Sequence, residues 1–359
     1  MPLNDERGRW FPRVVGDTIR DHGTADQLLL MNKQVTVCIT TAGRPHFLRS
    51  ALQSVQNQIN RDVIGEIVVS ENNGDRGSEA VAREFPELPI RYIFREPTLP
   101  MLAHLFSTFR QAQTPYVAIL NDDDWWSANH VAGAVAALRT NPSASAYVSA
   151  SLFVQDEAHD HPFWIDRSAA VWLLAGMPSW LRLWMLDAES ILALGWLYTP
   201  FHWSTLVART TSLNEVLDLL ENNTCHTHTI DRLVFNHLGL CGPLCYNPVA
   251  DTFVRWHAQN WVKSQDQEKV VRVMRSTIEL TERLAAEHGW CVREVWAKAL
   301  AHMPREVESE LLYRFHLAHT KEELRRYGLE QFFHVRPPRP RLRALRNMLA
   351  NAKHFVLGD

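Results

Sequence analysis

The residues best placed to do chemistry stand together at Asn121-Asp122-Asp123-Asp124-Trp125-Trp126, where three consecutive carboxylates follow the apolar run Tyr116-Val117-Ala118-Ile119-Leu120. Like charges repel, and a desolvated carboxylate is costly unless it is paired or bound to a cation. Oxygen ligands at this density suit Mg2+ or Mn2+, which in turn accept phosphate oxygens. Taken alone, an acidic triplet reads rather as a solvated loop with an acidic helix start. Its surroundings decide between the two.

Those surroundings are strands and helices in alternation. A strand over 35–40 ends in the turn Thr41-Ala42-Gly43-Arg44-Pro45, and Phe47, Leu48, Ala51, Leu52 and Val55 then share one helical face. A second strand, 66–70, runs into Glu71-Asn72-Asn73-Gly74-Asp75-Arg76-Gly77, with Ser78 placed to cap a helix over 79–85. A third strand, 90–94, precedes a helix over about 100–111. The fourth, 116–120, delivers the acidic cluster, and Ser127 is placed to cap the next helix. The alternation predicts an α/β fold with an open, mostly parallel central sheet and flanking helices. Ligands of such sheets bind beyond the carboxyl ends of the strands. All three polar loops fall on that rim, which favours a ligand site over a solvated loop.

The second half is less regular. A strand is expected over 147–153, and Trp164, Trp172, Trp180, Trp184, Trp196 and Trp203 crowd residues 160–205. They fit either core packing or a partly exposed aromatic wall for an acceptor. A strand over 201–208, a capping box at Ser212-Leu213-Asn214-Glu215, a helix from near Thr229 to Gly239 and a strand-like 251–257 follow. Helical patterns alone fill 262–335. The tail 336–359 interleaves prolines and arginines, then repeats Leu342, Leu345, Leu349, Ala352 and Val356 at helical spacing. This basic amphipathic element either docks on the protein or lies on an anionic membrane surface.

Bulk composition narrows the class. With 37 basic against 40 acidic residues the net charge is -3, which gives no general attraction to nucleic acid. Five scattered cysteines predict free thiols in a reducing, cytoplasmic setting. The charged stretch 1–20 does not read as a signal peptide, and no apolar run reads as a membrane span.

The strand into Thr-Thr-Ala-Gly-Arg-Pro-His-Phe-Leu, the strand into Val-Val-Ser-Glu-Asn-Asn-Gly-Asp, and Tyr-Val-Ala-Ile-Leu-Asn-Asp-Asp-Asp-Trp-Trp together resemble the family 2 glycosyltransferases. The resemblance covers roughly residues 34–260. It implies a GT-A type, Rossmann-like fold with a nucleotide-sugar half over 34–126 and an acceptor half over 127–261. An N-terminal arm (1–33), a helical C-terminal subdomain (262–335) and the tail would surround it. It further implies Mn2+ or Mg2+ as cofactor, a nucleoside diphosphate sugar as donor, and a glycan, lipid-linked or small-molecule acceptor. Thr40, Thr41, Ala42, Arg44, Glu71, Asn73, Asn121, Asp122 and Asp123 would line the donor site, with Glu71 at the base. Asp123 would be the metal ligand, supported by Asp124. Asn121 stands where the family often has an acid. Asp231 resembles the general base, although Ile230 replaces the acid usual before it. Arg255-Trp256-His257 resembles the family's Arg-x-His, whose His can complete the metal site. Trp125, Trp126, His202 and Trp203 would face the acceptor. Displacement from the face opposite the leaving group implies inversion.

Three alternatives are open at this stage. Cys225, His226, His228, Cys241 and Cys245 could hold zinc, though their spacing fits no standard pattern. A sugar-phosphate nucleotidyltransferase would share the sheet, but the loop 41–45 is short for that chemistry. A non-catalytic carbohydrate-binding protein would be expected to have lost Asp123, Asp231 or His257.

Overall fold

The computed structural model describes residues 33–155, 183–197, 201–223, 225–227, 229–257 and 267–295. The N-terminal arm, the tail, most of the tryptophan-rich segment and the helices expected beyond 295 lie outside the described residues.

Strands β1 (Val35–Thr41), β2 (Ile64–Asn72), β3 (Ile90–Arg95) and β4 (Tyr116–Asn121) form a parallel block in the order β3-β2-β1-β4. The apolar runs of β1, β2 and β4 are largely buried on both faces, as a helix-covered parallel sheet requires, whereas the edge strand β3 is half-buried throughout. Val37, Ile39, Ala118 and Leu120 pack with Leu48, Leu52 and Val55 of helix α1 (Pro45–Gln56). Cys38, Val117 and Ile119 join Leu105, Phe106 and Phe109 of α3 (Met101–Phe109) on the other face. Between β2 and β3 runs α2 (Gly77–Arg83).

Beyond β4 the sheet continues with mixed directions. The short β5 (Trp125–Trp126) is followed by α4 (His130–Thr140), β6 (Ala146–Gln155), β7 (Trp184–Leu186) and α5 (Ala188–Leu197). A 3-10 turn (Trp203–Thr205) leads to β8 (Val207–Arg209), α6 (Thr210–Glu221), α7 (Ile230–Cys241), β9 (Leu244–Trp256) and α8 (Gln267–Glu287). β8 pairs antiparallel with β4 and β6, β9 runs parallel to β6, and β5 and β7 pair antiparallel with β9.

Several local expectations need correction. Ser78 lies inside α2, buried, and Arg76 holds the cap position in a left-handed conformation. Asn129, not Ser127, precedes α4, and its side chain makes no capping bond. The strand expected over 201–208 is a 3-10 turn followed by three strand residues, because the chain bends there to meet the acidic loop. α6 begins at Thr210, two residues before the expected capping box.

Candidate active site

The site lies where β1, β2 and β4 end. In the parallel register Thr41 stands opposite Glu71, and Thr40 lies between Ser70 and Asn121. Three loops are thereby set side by side. Gly43, at φ +67°, turns the chain after β1, and Pro45 starts α1 at once. This aims Arg44 back across the rim. Its Nε and Nη2 donate to the two oxygens of Asp122, and its Nη1 donates to Asp123 Oδ2 at 3.0 Å.

The three carboxylates have separate environments. Asp122 is fully buried, and burial pushes its pKa up to about 7, with Asp123 adding to the rise against the pull of Arg44. Asp123 is 9% exposed and faces His257, whose Nε2 lies 3.1 Å from Oδ2. Burial acts to raise the pKa of Asp123, but the His257 hydrogen bond and the Arg44 charge outweigh it and hold the group below the ordinary carboxylate range. Asp124 points away from the rim: Oδ2 accepts from Ser204 Oγ at 2.5 Å, and Oδ1 accepts from the Arg255 backbone N–H at 3.0 Å. Burial, with the neighbouring Asp123 charge, raises its pKa well above the usual value. Asp124 therefore clasps the loop to β9 and the 3-10 turn, while Asp123 faces the site.

β9 brings the distant groups in. Trp125 pairs with Phe253, so the strand end carries Arg255 and His257 beside the acidic loop. Arg255 Nε donates to the Asp123 carbonyl at 3.1 Å, and its guanidinium lies over the rings of Phe47 and Trp125. Phe47 also contacts the His257 ring, with centroids 4.5 Å apart, and lies under Arg44. One buried ring in the first turn of α1 thus supports three charged or polar side chains.

On the β2 side, Glu71 is fully buried. Oε2 accepts from the Tyr92 hydroxyl, while Oε1 is without a hydrogen-bond partner. Gly74, at φ +134°, crosses directly in front, where a Cβ would come within 2.6 Å of Oε1. Asn73 is exposed, and its Oδ1 accepts from the Gly74 N–H. Ala42 is also exposed, at the mouth.

The acceptor-side residues divide. Trp125 is half-buried at the loop, stacked on Phe253. His202 Nδ1 lies 3.4 Å from Asp124 Oδ2. Trp126 is a correction: it is 3% exposed, donates to the Ser204 carbonyl and stacks on His130, so it belongs to the core. Trp184 is likewise buried in the core, and Trp203 packs on Phe109 and Phe235. Asp231 sits on a different element, in the first turn of α7, where its Oδ1 accepts the Arg232 N–H at 2.8 Å. A chain of contacts from Phe235 through Trp203 to Ser204 joins α7 to the acidic loop.

Sequence reasoning missed Tyr92, Phe47 and Ser204 as parts of the site. Tyr92 became visible only through strand register, since Glu71 pairs with Phe94 and Tyr92 lies two residues away on the same face. Among the described residues no three His, Cys, Asp or Glu side chains are arranged to hold a metal. Cys225 donates to a backbone carbonyl, Cys245 is buried against Met185, and His228 lies outside the described residues. All five cysteines are free thiols.

Residues 36–187 match the family described as Glycosyl transferase family 2. No curated protein matches the chain. Among solved structures, the crystal structure of S. aureus TarS 1-349 in complex with UDP-GlcNAc superposes with a TM-score of 0.53 at 12% identity, covering 84% of this chain and 89% of that one. A mannosyltransferase from Pyrobaculum calidifontis in complex with GDP-Man and Mn2+ gives a TM-score of 0.44 at 15% identity, covering 84% of this chain and 85% of that one. The fold is the GT-A glycosyltransferase fold. The family match spans residues 36–187, less than half of the chain.

Proposed function

We propose that the chain moves a sugar from a nucleoside diphosphate sugar to an acceptor hydroxyl, with a divalent ion and with inversion at the anomeric carbon. The observation that carries this reading is the convergence of Asp123 and His257 on the rim that also presents Arg44 and the unpartnered Oε1 of Glu71. Asp123 Oδ2 and His257 Nε2 offer one carboxylate oxygen and one imidazole nitrogen, a set that fits Mn2+ or Mg2+ when phosphate oxygens and water complete the shell. Two protein ligands make an incomplete shell, so ion and donor would bind together. A bound ion supplies Lewis-acid stabilisation of the charge that builds on the departing diphosphate.

The chain's own groups do the rest. Glu71 Oε1 accepts an N–H from the base, while Tyr92 fixes the carboxylate from behind. Arg44 keeps Asp122 and Asp123 aligned and is the cation nearest the phosphates. Asp124 braces the loop. Asp231 takes the proton of the attacking hydroxyl. The acceptor is a glycan, a lipid-linked saccharide or a small molecule, and a basic tail at 336–359 would bring the chain to an anionic membrane surface from the cytoplasmic side. Among the described residues no helix is long and apolar enough to cross a membrane.

The test is transfer of labelled sugar from a panel of nucleotide sugars, with Mn2+ and with chelator. Metal-dependent turnover of one donor is expected; turnover that chelation leaves unchanged would remove the ion from the mechanism. Deleting 336–359 should release the protein from anionic liposomes, and unchanged co-sedimentation would refute the membrane contact.

A further inference from the structure

Asp251 is a buried carboxylate that the transfer chemistry above does not use. His130 Nδ1 lies 2.8 Å from its Oδ1. The Tyr147 hydroxyl donates to Oδ2 at 2.6 Å, and Asn247 Nδ2 donates both to that oxygen and to the Tyr147 oxygen. The Asp251 carbonyl accepts the Ser127 N–H at 2.8 Å. One residue is thus fastened to the start of α4, to β6, to its own strand and to the segment after β5. A carboxylate taken out of water needs such partners, and their directions fix where it can sit.

The place so fixed is a break in the ladder. Along the parallel pair of β6 and β9, Ser149 stands opposite Asn247, Ala150 opposite Ala250 and Ser151 opposite Thr252. β9 therefore carries extra residues here, and Asp251 is among those with no partner on β6. A bulge resets which way the following side chains face. Beyond it, Thr252 and Phe253 pair with Trp126 and Trp125. Arg255 then reaches Asp123 and Asp124, and His257 reaches Asp123 Oδ2. A slip of one residue would turn Arg255 to the opposite face and carry His257 away with it. The hydrophobic pattern guards weakly against such a slip, because the buried Thr252 is less apolar than the half-buried Phe253.

We propose that Asp251 is a positioning residue for the ion site: held by His130 and Tyr147, it sets the register of β9 that brings His257 to Asp123. The proposal rests on the reading of Asp123 and His257 as ion ligands and adds to it the group that aligns them. The extended chain from Asp251 to His257 spans roughly 20 Å, so Asp251 acts through the strand and not by contact.

The experiment is the affinity of the full chain for Mn2+ alone, read from the electron paramagnetic resonance of the free ion, for the wild type, Asp251→Asn, His257→Ala and the double variant. His257→Ala should weaken Mn2+ binding at least about tenfold, and Asp251→Asn should weaken it several-fold. The double variant should bind no more weakly than His257→Ala, since a group that acts through His257 has nothing left to align. A merely structural aspartate would lower the unfolding midpoint and add its effect on Mn2+ to that of His257→Ala. Unchanged Mn2+ affinity in Asp251→Asn, or additive losses in the double variant, overturns the proposal while leaving the ion site standing. Unchanged affinity in His257→Ala removes the ion reading and the proposal with it. Should Asp251→Asn fail to fold, Tyr147→Phe removes one anchor and keeps the carboxylate. A smaller loss of Mn2+ affinity that vanishes in the His257→Ala background then supports the proposal, and no loss overturns it.

Discussion

His257 Nε2 lies 3.1 Å from Asp123 Oδ2 across 134 residues of sequence. The pairing of β5 with β9 and the tilted ring contact of His257 with Phe47 hold that approach. Replacing His257 by Ala should leave the fold intact and raise the Mn2+ concentration needed for half-maximal turnover at least about tenfold. Metal titration of the reaction rate checks this, and an unaltered titration would take His257 out of the site.

Asp231→Asn should keep donor affinity and lose transfer by about a hundred- to ten-thousand-fold, the usual range for a general base. Donor binding by calorimetry and transfer by product analysis separate the two. Equal loss of both would indicate a structural role for the α7 first turn.

Gly74→Ala tests the donor pocket from the backbone. At φ +134° any Cβ is strained, and here it would also press on Glu71 Oε1 at 2.6 Å. A destabilisation of about 1–3 kcal/mol is expected, together with weaker donor binding because Glu71 must move. Wild-type donor affinity in this variant would show that Glu71 does not read the base.

Acid should destabilise the fold through two buried histidines. Burial, aided by Arg95 at His104 and by His288 at His237, lowers each pKa from 6.5 to about 4. Above pH 6.5 both folded and unfolded chains hold these rings neutral. Between 6.5 and about 4 the unfolded chain binds protons that the folded one refuses, so stability falls as pH falls through that window. The raised pKa values of Asp122 and Asp124 act in the opposite sense over the same window. The check is therefore the denaturant midpoint of the wild type against His104→Gln and His237→Gln. Each variant should lose less stability than the wild type as pH falls, and identical profiles would contradict the claim.

The parallel block was legible because its inner strands are buried on both faces and read as continuous apolar runs, each ended by a polar loop. The rim residues Arg44, Glu71 and Asp123 could be placed for the same reason. Trp126 was misplaced because a tryptophan beside an acidic cluster gives no sign of which way its strand faces; pairing with β9 turns it inward to Ser204. The division of labour within Asp122, Asp123 and Asp124 was hidden too. It is set by Arg44, His257 and Ser204, which reach the loop from three separate elements.

The most direct measurement is thermal stabilisation by a panel of nucleotide sugars, with and without Mn2+, on the wild type and on Asp123→Ala. One donor should raise the wild-type midpoint only when Mn2+ is present, and Asp123→Ala should fold normally and show no Mn2+-dependent shift. The same shift in both proteins would contradict the assignment of Asp123 as the residue that joins ion and donor.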